Sequence, residues 1–127
     1  LINHQFMVSI KPKGVPGASR KILETLSQWN QLQSGPHRFG GIEYRLFKVE
    51  LGHTHGDHQA DIRFTRAKRE ELVREGLARP HHIHPETGWV TLYIRRDEDV
   101  ARAILLFRLA YEEVEKRKKA RKAPEKP

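Results

Sequence analysis

The chain has 127 residues, no cysteine, one methionine and a formal charge of +8. That length suits one domain able to bury a core without staples, and the missing cysteines exclude disulfides, thiolate zinc sites and cysteine nucleophiles, as expected in a reducing, cytoplasmic setting. No apolar run reaches the ~20 residues of a membrane span, residues 1–10 lack the pattern of a signal peptide, and with Leu1 and Ile2 ahead of Met7 the numbered start is not expected to be the native one.

The charge is unevenly spread. Seven basic residues against two acidic ones give 115–127 a net charge of +5, leaving +3 for everything before it. A basic tail of this kind attracts polyanions weakly, and without interleaved aromatic residues it does not point to specific nucleic-acid recognition. The chain divides into a linker or disordered N-terminus over 1–16, a single domain over 17–114, and the basic tail over 115–127.

In chain order, Ile22, Leu23, Leu26 and Trp29 mark the apolar side of a helix from about Ala18 to Leu32, broken by Ser34-Gly-Pro-His37. Ile42, Tyr44 and Leu46 alternate with polar residues, as do Phe47, Val49 and Leu51. The phase slips between 46 and 47, so a turn or bulge is expected to separate two strands there. Gln59 to Phe64 reads as a third strand. Thr65 caps a helix over about 66–75 that Gly76 stops. Ala78 to Ile83 and Trp89 to Ile94 flank Pro85-Glu-Thr-Gly88 as a second hairpin. Asp97 then caps a long C-terminal helix carrying Val100, Ala103, Ile104, Phe107, Ala110, Tyr111 and Val114 at helical spacing. The order α-β-β-β-α-β-β-α predicts an α+β fold, an antiparallel sheet of about five strands with flanking helices.

Six of the eight histidines fall in two runs, His53-Thr-His-Gly-Asp-His58 and His81-His-Ile-His84. If Gly56-Asp57 is a two-residue turn, His55 and His58 face each other across it. His53 then shares their side with Phe47, Val49, Leu51, Ala60, Ile62 and Phe64, while Glu50, Gln59 and Asp61 point the other way. Three readings of this triplet stay open. It is a metal site, for zinc or another divalent ion on His53, His55 and His58; or a general base oriented by its neighbours and Asp57; or a structural closure of the hairpin. A metal-dependent hydrolase and a nucleic-acid or partner-binding module are the competing functional classes. In the second run His82 is the residue expected to reach the site, with His81 and His84 solvated. Trp89 and Tyr93 share a strand face and are the substrate-binding candidates, although core packing is the first expectation for Trp89; an indole beside the imidazoles would suit a flat aromatic ligand. Arg38 enters the first strand where it can meet an anion.

The stretches Pro36-His-Arg-Phe-Gly-Gly41, Glu50-Leu-Gly-His-Thr-His-Gly-Asp-His58, Arg79-Pro-His-His82, Gly88-Trp-Val-Thr-Leu-Tyr-Ile94 and Asp97-Glu-Asp-Val-Ala-Arg102 together resemble the luciferase domain family, from about Pro36 to Tyr111. This family includes the fungal luciferases, which oxidise a hydroxylated styryl-pyrone with dioxygen and use no known organic cofactor. The resemblance implies a small-molecule-binding domain and an oxidoreductase of the cofactor-free oxygenase kind, acting on a flat enolic or aromatic substrate. It places His53, His55 and His58 on the shared histidine triplet and Trp89, Leu92 and Tyr93 on the shared W-x-x-L-Y pattern, with His82 a looser match. Luminescence is not implied.

Overall fold

The computed structural model describes residues 13–37 and 40–122. Its elements are α1 (Ala18–Leu26), β1 (Leu32–Pro36), β2 (Ile42–Leu46), β3 (Val49–His55), β4 (Gln59–Arg63), α2 (Arg66–Arg74), β5 (Arg79–Pro80), β6 (Trp89–Tyr93) and α3 (Asp97–Lys122). All strand pairs are antiparallel, in the order β1-β2-β3-β4-β6-β5. The fold is α+β, as the element pattern predicts, with six strands rather than about five.

The additional strand is β1. Helix α1 stops at Leu26, earlier than its apolar spacing suggests, and Gln31 takes a left-handed conformation (φ 64°) as the chain reverses. Leu32–Pro36 then pairs along β2. Serine, glycine and proline read as a break, but an edge strand tolerates all three because its outer N–H groups need no partner. The slip between residues 46 and 47 is a tight turn in which Phe47 and Lys48 both have positive φ. β5 is cut to two residues by Pro80, so 81–84 are irregular.

Helix α3 lies along one face of β2, β3, β4 and β6, with α1 packed beside it. Between them sit Tyr44, Leu46, Leu51, Ala60, Ile62, Val90 and Leu92 from the sheet and Ala103, Leu106, Phe107 and Ala110 from α3, all buried. The Tyr44 ring meets that of Phe107 edge-on at 5.2 Å. Asp99, buried in the first turn of α3, reaches back to accept from the backbone N–H of Arg95 and Arg96, the two residues before the helix. The helix continues through the basic segment as far as Lys122. Among the described residues no helix is long and apolar enough to cross a membrane.

One irregularity decides which way the histidines face. Tyr44 pairs with Gly52 but Arg45 pairs with Glu50, so Leu51 is an extra residue in β3. A bulge of this kind shifts the alternation by one. Leu51 and Gly52 are both buried, Thr54 follows on the α3 side, and His53 and His55 turn to the opposite face. The expectation that these imidazoles share a face with Leu51, Ala60 and Ile62 is thereby corrected. The second part of that geometry also fails. His55 pairs with Gln59, so the turn has three residues and His58 lies within it rather than opposite His55.

Gly52 is required at the bulge because a Cβ there would lie 2.3 Å from the Asp61 carbonyl oxygen and 3.0 Å from Cε1 of Phe107. Gly52→Ala is therefore expected to destabilise the domain by about 1–3 kcal/mol, measured by urea unfolding; an unchanged midpoint would remove the bulge from this account.

Candidate functional site

On the face away from α3, outward residues of three adjacent strands meet. β3 supplies His53 and His55, β4 supplies Gln59 and Asp61, and β6 supplies Trp89 and Thr91; the cross-strand pairs His53–Asp61 and Asp61–Thr91 set them in one row. The irregular segment after β5 carries His81 and His82 over this row. His37, just past β1, stacks on His53 with ring centroids 4.0 Å apart. All of these except Gln59 and Thr91 line a cleft of about 810 Å³, together with Glu50, Thr87, Ile83 and His84, a volume fit for a drug-sized ligand.

Asp61 is the centre of the row and is 1% exposed. Its Oδ2 lies 3.1 Å from His55 Nε2, 3.3 Å from His53 Nε2 and 3.8 Å from His81 Nε2. Oδ1 accepts from the Thr91 hydroxyl at 2.8 Å and from the Gln59 amide at 3.2 Å. His53 is held from both sides, because its Nδ1 meets Glu50 Oε2 at 2.8 Å. His81 is fixed differently: its Nδ1 accepts the backbone N–H groups of Ile83 and His84. In the neutral ring that leaves the proton on Nε2, pointing at Asp61. Trp89 stands beside His53 at 5.5 Å and His81 at 6.2 Å between ring centroids, forming an aromatic wall.

The field of the site is acidic beneath and basic around. Burial alone would raise the Asp61 pKa, but hydrogen bonds from His53, Thr91 and Gln59 hold it well below the usual carboxylate range. Burial alone would lower the His53 pKa, and its bonds to Asp61 and Glu50 override that and lift it to about 9. For His55 burial outweighs the attraction of Asp61, and its pKa falls. Neighbouring imidazoles are thus pushed in opposite directions, a pattern found where groups have different tasks. Among the described residues three donor sets lie close enough to share a cation: His37–Glu50–His53, His53–His55–Asp61 and Asp61–His81–His82.

Of the residues singled out from sequence, His53, His55, His82 and Trp89 come together in the cleft. His58 does not: its carbonyl accepts from the Ile94 N–H in the turn, and the cleft is lined without it. Asp57, considered there as an imidazole-orienting group, instead receives the backbone N–H groups of Gly17 and Ser19 and caps α1. Tyr93 shares the face of Trp89 but lies in a neighbouring cleft, its ring between the guanidinium groups of Arg79 at 5.6 Å and Arg95 at 5.2 Å. Arg38 falls outside the described residues. His84 is at the rim, its side chain 63% exposed.

Sequence reasoning missed Asp61, Glu50, His37 and His81. A signal for Asp61 was present, since an acidic residue between Ala60 and Ile62 in a strand needs partners if its face is covered.

Residues 48–110 match the family model described as Luciferase domain. No curated protein and no solved structure matches the chain.

Removing the donor beneath Asp61 tests the row directly. Thr91→Val keeps the shape but takes away the hydroxyl, and is expected to cost about 1.5–3 kcal/mol, the range for a hydrogen bond to a charged group. Chemical denaturation checks this, and a neutral substitution would mean that Asp61 does not rely on Thr91.

Proposed function

We propose, from the premise that the chain belongs to the luciferase domain family through its residues 48–110, that the domain binds a flat enolic or aromatic molecule in the histidine cleft and presents it to dioxygen. The observation that carries this reading is the convergence of imidazoles on Asp61 beneath the wall formed by Trp89. A planar ring stacks on an indole, and an enol is acidic enough for an imidazole to take its proton near neutral pH.

We give that task to His82. The hydrogen of the Thr91 hydroxyl is committed to Asp61 Oδ1, so towards His82 Nδ1, at 3.3 Å, the hydroxyl oxygen acts as acceptor. In this reading the nearer hydroxyl oxygen, rather than the Gln59 amide nitrogen at 3.5 Å, sets the tautomer, so that His82 carries its proton on Nδ1 and keeps a lone pair on Nε2. Its side chain is 36% exposed, accessible to a ligand in the cleft. In this reading His82 Nε2 accepts the enolic proton, Trp89 packs the ring, and the enolate oxygen is drawn towards the His53–His55 side. Dioxygen then meets a carbanion rather than a neutral enol, which is the form that reacts with it.

A hydroxylated styryl-pyrone is the probe. Titrating it is expected to quench tryptophan fluorescence saturably in the wild type and in Trp29→Phe but not in Trp89→Phe. Oxygen consumption, followed at an electrode, is expected to fall about 100-fold in His82→Ala. Absence of saturable binding, or an unchanged oxygen rate in His82→Ala, would contradict the proposal.

A further inference from the structure

An enolate drawn into this cleft approaches two carboxylates, Asp61 and Glu50, and among the described residues no lysine or arginine lines it. The His53 ring, between the two carboxylates, can balance one of these charges, and a further positive centre would make the approach favourable. We infer that His53 Nε2, His55 Nε2 and Asp61 Oδ2 bind a divalent first-row transition-metal ion, an inference that rests on the proposed function for its role but on geometry for its place.

Four observations argue for this set. The first is spacing: with metal–ligand bonds of about 2.0–2.2 Å, neighbouring ligand atoms of a tetrahedral or octahedral site lie roughly 2.9–3.5 Å apart. The two nitrogens stand 3.3 and 3.1 Å from Asp61 Oδ2, and all three atoms lie within 4.8 Å of one another. The second is the support behind His53. Glu50 accepts from its Nδ1 at 2.8 Å, which directs the Nε2 lone pair forward, the carboxylate–histidine arrangement that orients metal-binding imidazoles. The third is the support behind Asp61, where Thr91 and Gln59 hold Oδ1, and Oδ2, which the Gln59 amide also reaches at 3.3 Å, faces the rings. The fourth is the scaffold, since all three ligands lie on paired strands, and β3 and β4 hold them in register.

The two other donor sets are weaker. His81 spends Nδ1 on two backbone N–H groups, so its neutral Nε2 carries a proton and acts as a donor to Asp61 instead of a ligand. In His37–Glu50–His53 the carboxylate already engages Nδ1 of His53, the nitrogen turned away from Asp61. Two histidines and one carboxylate, with the remaining positions facing an open cleft, are the donor set that suits Fe²⁺ in oxygen-handling sites and accepts Co²⁺ and Zn²⁺ as probes. The cation would sit on the cleft floor beside Trp89, where a substrate oxygen can reach it.

The experiment titrates protein freed of metal by a chelator and dialysis with Co²⁺, followed by visible absorption, and with Zn²⁺ by calorimetry. One ion per chain is expected, with affinity at least 100-fold weaker in Asp61→Asn and His55→Ala. Glu50→Gln, which leaves all three ligands in place, is expected to weaken it by about 10- to 100-fold. His58→Ala should bind as the wild type does. Melting curves of each variant separate a lost site from a lost fold, and Glu50→Gln tests the site if Asp61→Asn does not fold. Absence of binding, or binding that survives Asp61→Asn and disappears in the double variant His82→Ala/His84→Ala, overturns the inference. The two proposals separate: ion binding without pyrone binding contradicts the function and leaves the metal site standing, whereas pyrone oxidation undiminished by metal removal contradicts the ion's role in that reaction and leaves the function standing.

Discussion

A carboxylate with 1% exposure in the middle of a sheet has to be paired, and the outer face of this protein is organised by how Asp61 is paired. No lysine or arginine reaches it among the lining residues; imidazoles, a hydroxyl and an amide do. Each partner comes from a different stretch of chain: His53 and His55 from β3, Gln59 from β4 itself, Thr91 from β6, His81 from beyond β5. The demand of one buried charge therefore ties three strands and a loop into a common geometry. Leaving such a charge half-paired would cost several kcal/mol, so those side chains are held in position before any ligand arrives.

The fold makes this possible by closing only one face. Helix α3, with α1 beside it, covers the side where Ala60, Ile62, Val90 and Leu92 point, and this is where the hydrophobic burial lies. Among the described residues no helix crosses the row of histidines on the other side, where the polar groups are shielded by one another and by Trp89. The bulge at Leu51 joins the two halves. It lets β3 contribute Leu51 and Thr54 to the covered side and His53 and His55 to the open one, and Gly52 allows the strand to approach β4 closely enough for His53 to meet Asp61. Next to this cleft lies a second of opposite character, where Arg79 and Arg95 flank Tyr93.

Most of the architecture is legible in the sequence, because periodicity is a local signal. The apolar spacing of Val100 to Val114, Thr65 as a cap and the phase slip at residue 47 each specify an element directly. β1 is hidden because Ser34, Gly35 and Pro36 resist strand formation and only pairing with β2 recruits them. The site is legible by residue type and not by direction. The H-x-H pattern and Trp89 stand out, and Glu50 and Asp61 are correctly placed together on one face. What a period of two cannot reveal is a bulge, and one extra residue at Leu51 is enough to move the imidazoles from the apolar side to the acidic one. The substitution of Asp61 for His58 as the third member of the cluster follows from that shift. His81 becomes visible only once Pro80 has ended β5 and the loop has folded back. The resemblance drawn from the motifs between Pro36 and Tyr111 agrees with the family match over 48–110.

The chemistry suggested for the cleft divides among its parts in a way the sheet enforces. Trp89 offers a flat wall, His82 offers a lone pair, and the row on the cleft floor offers a place for positive charge next to Asp61. None of this survives if the imidazoles face the core. Proton–proton nuclear Overhauser effects from the imidazole rings decide that most directly. The account expects cross-peaks from the His53 ring to the indole of Trp89 and to His55, and none to the ring of Phe107. Cross-peaks from His53 or His55 to Phe107 or to the Ile62 methyl groups would place these rings beneath α3 and contradict it.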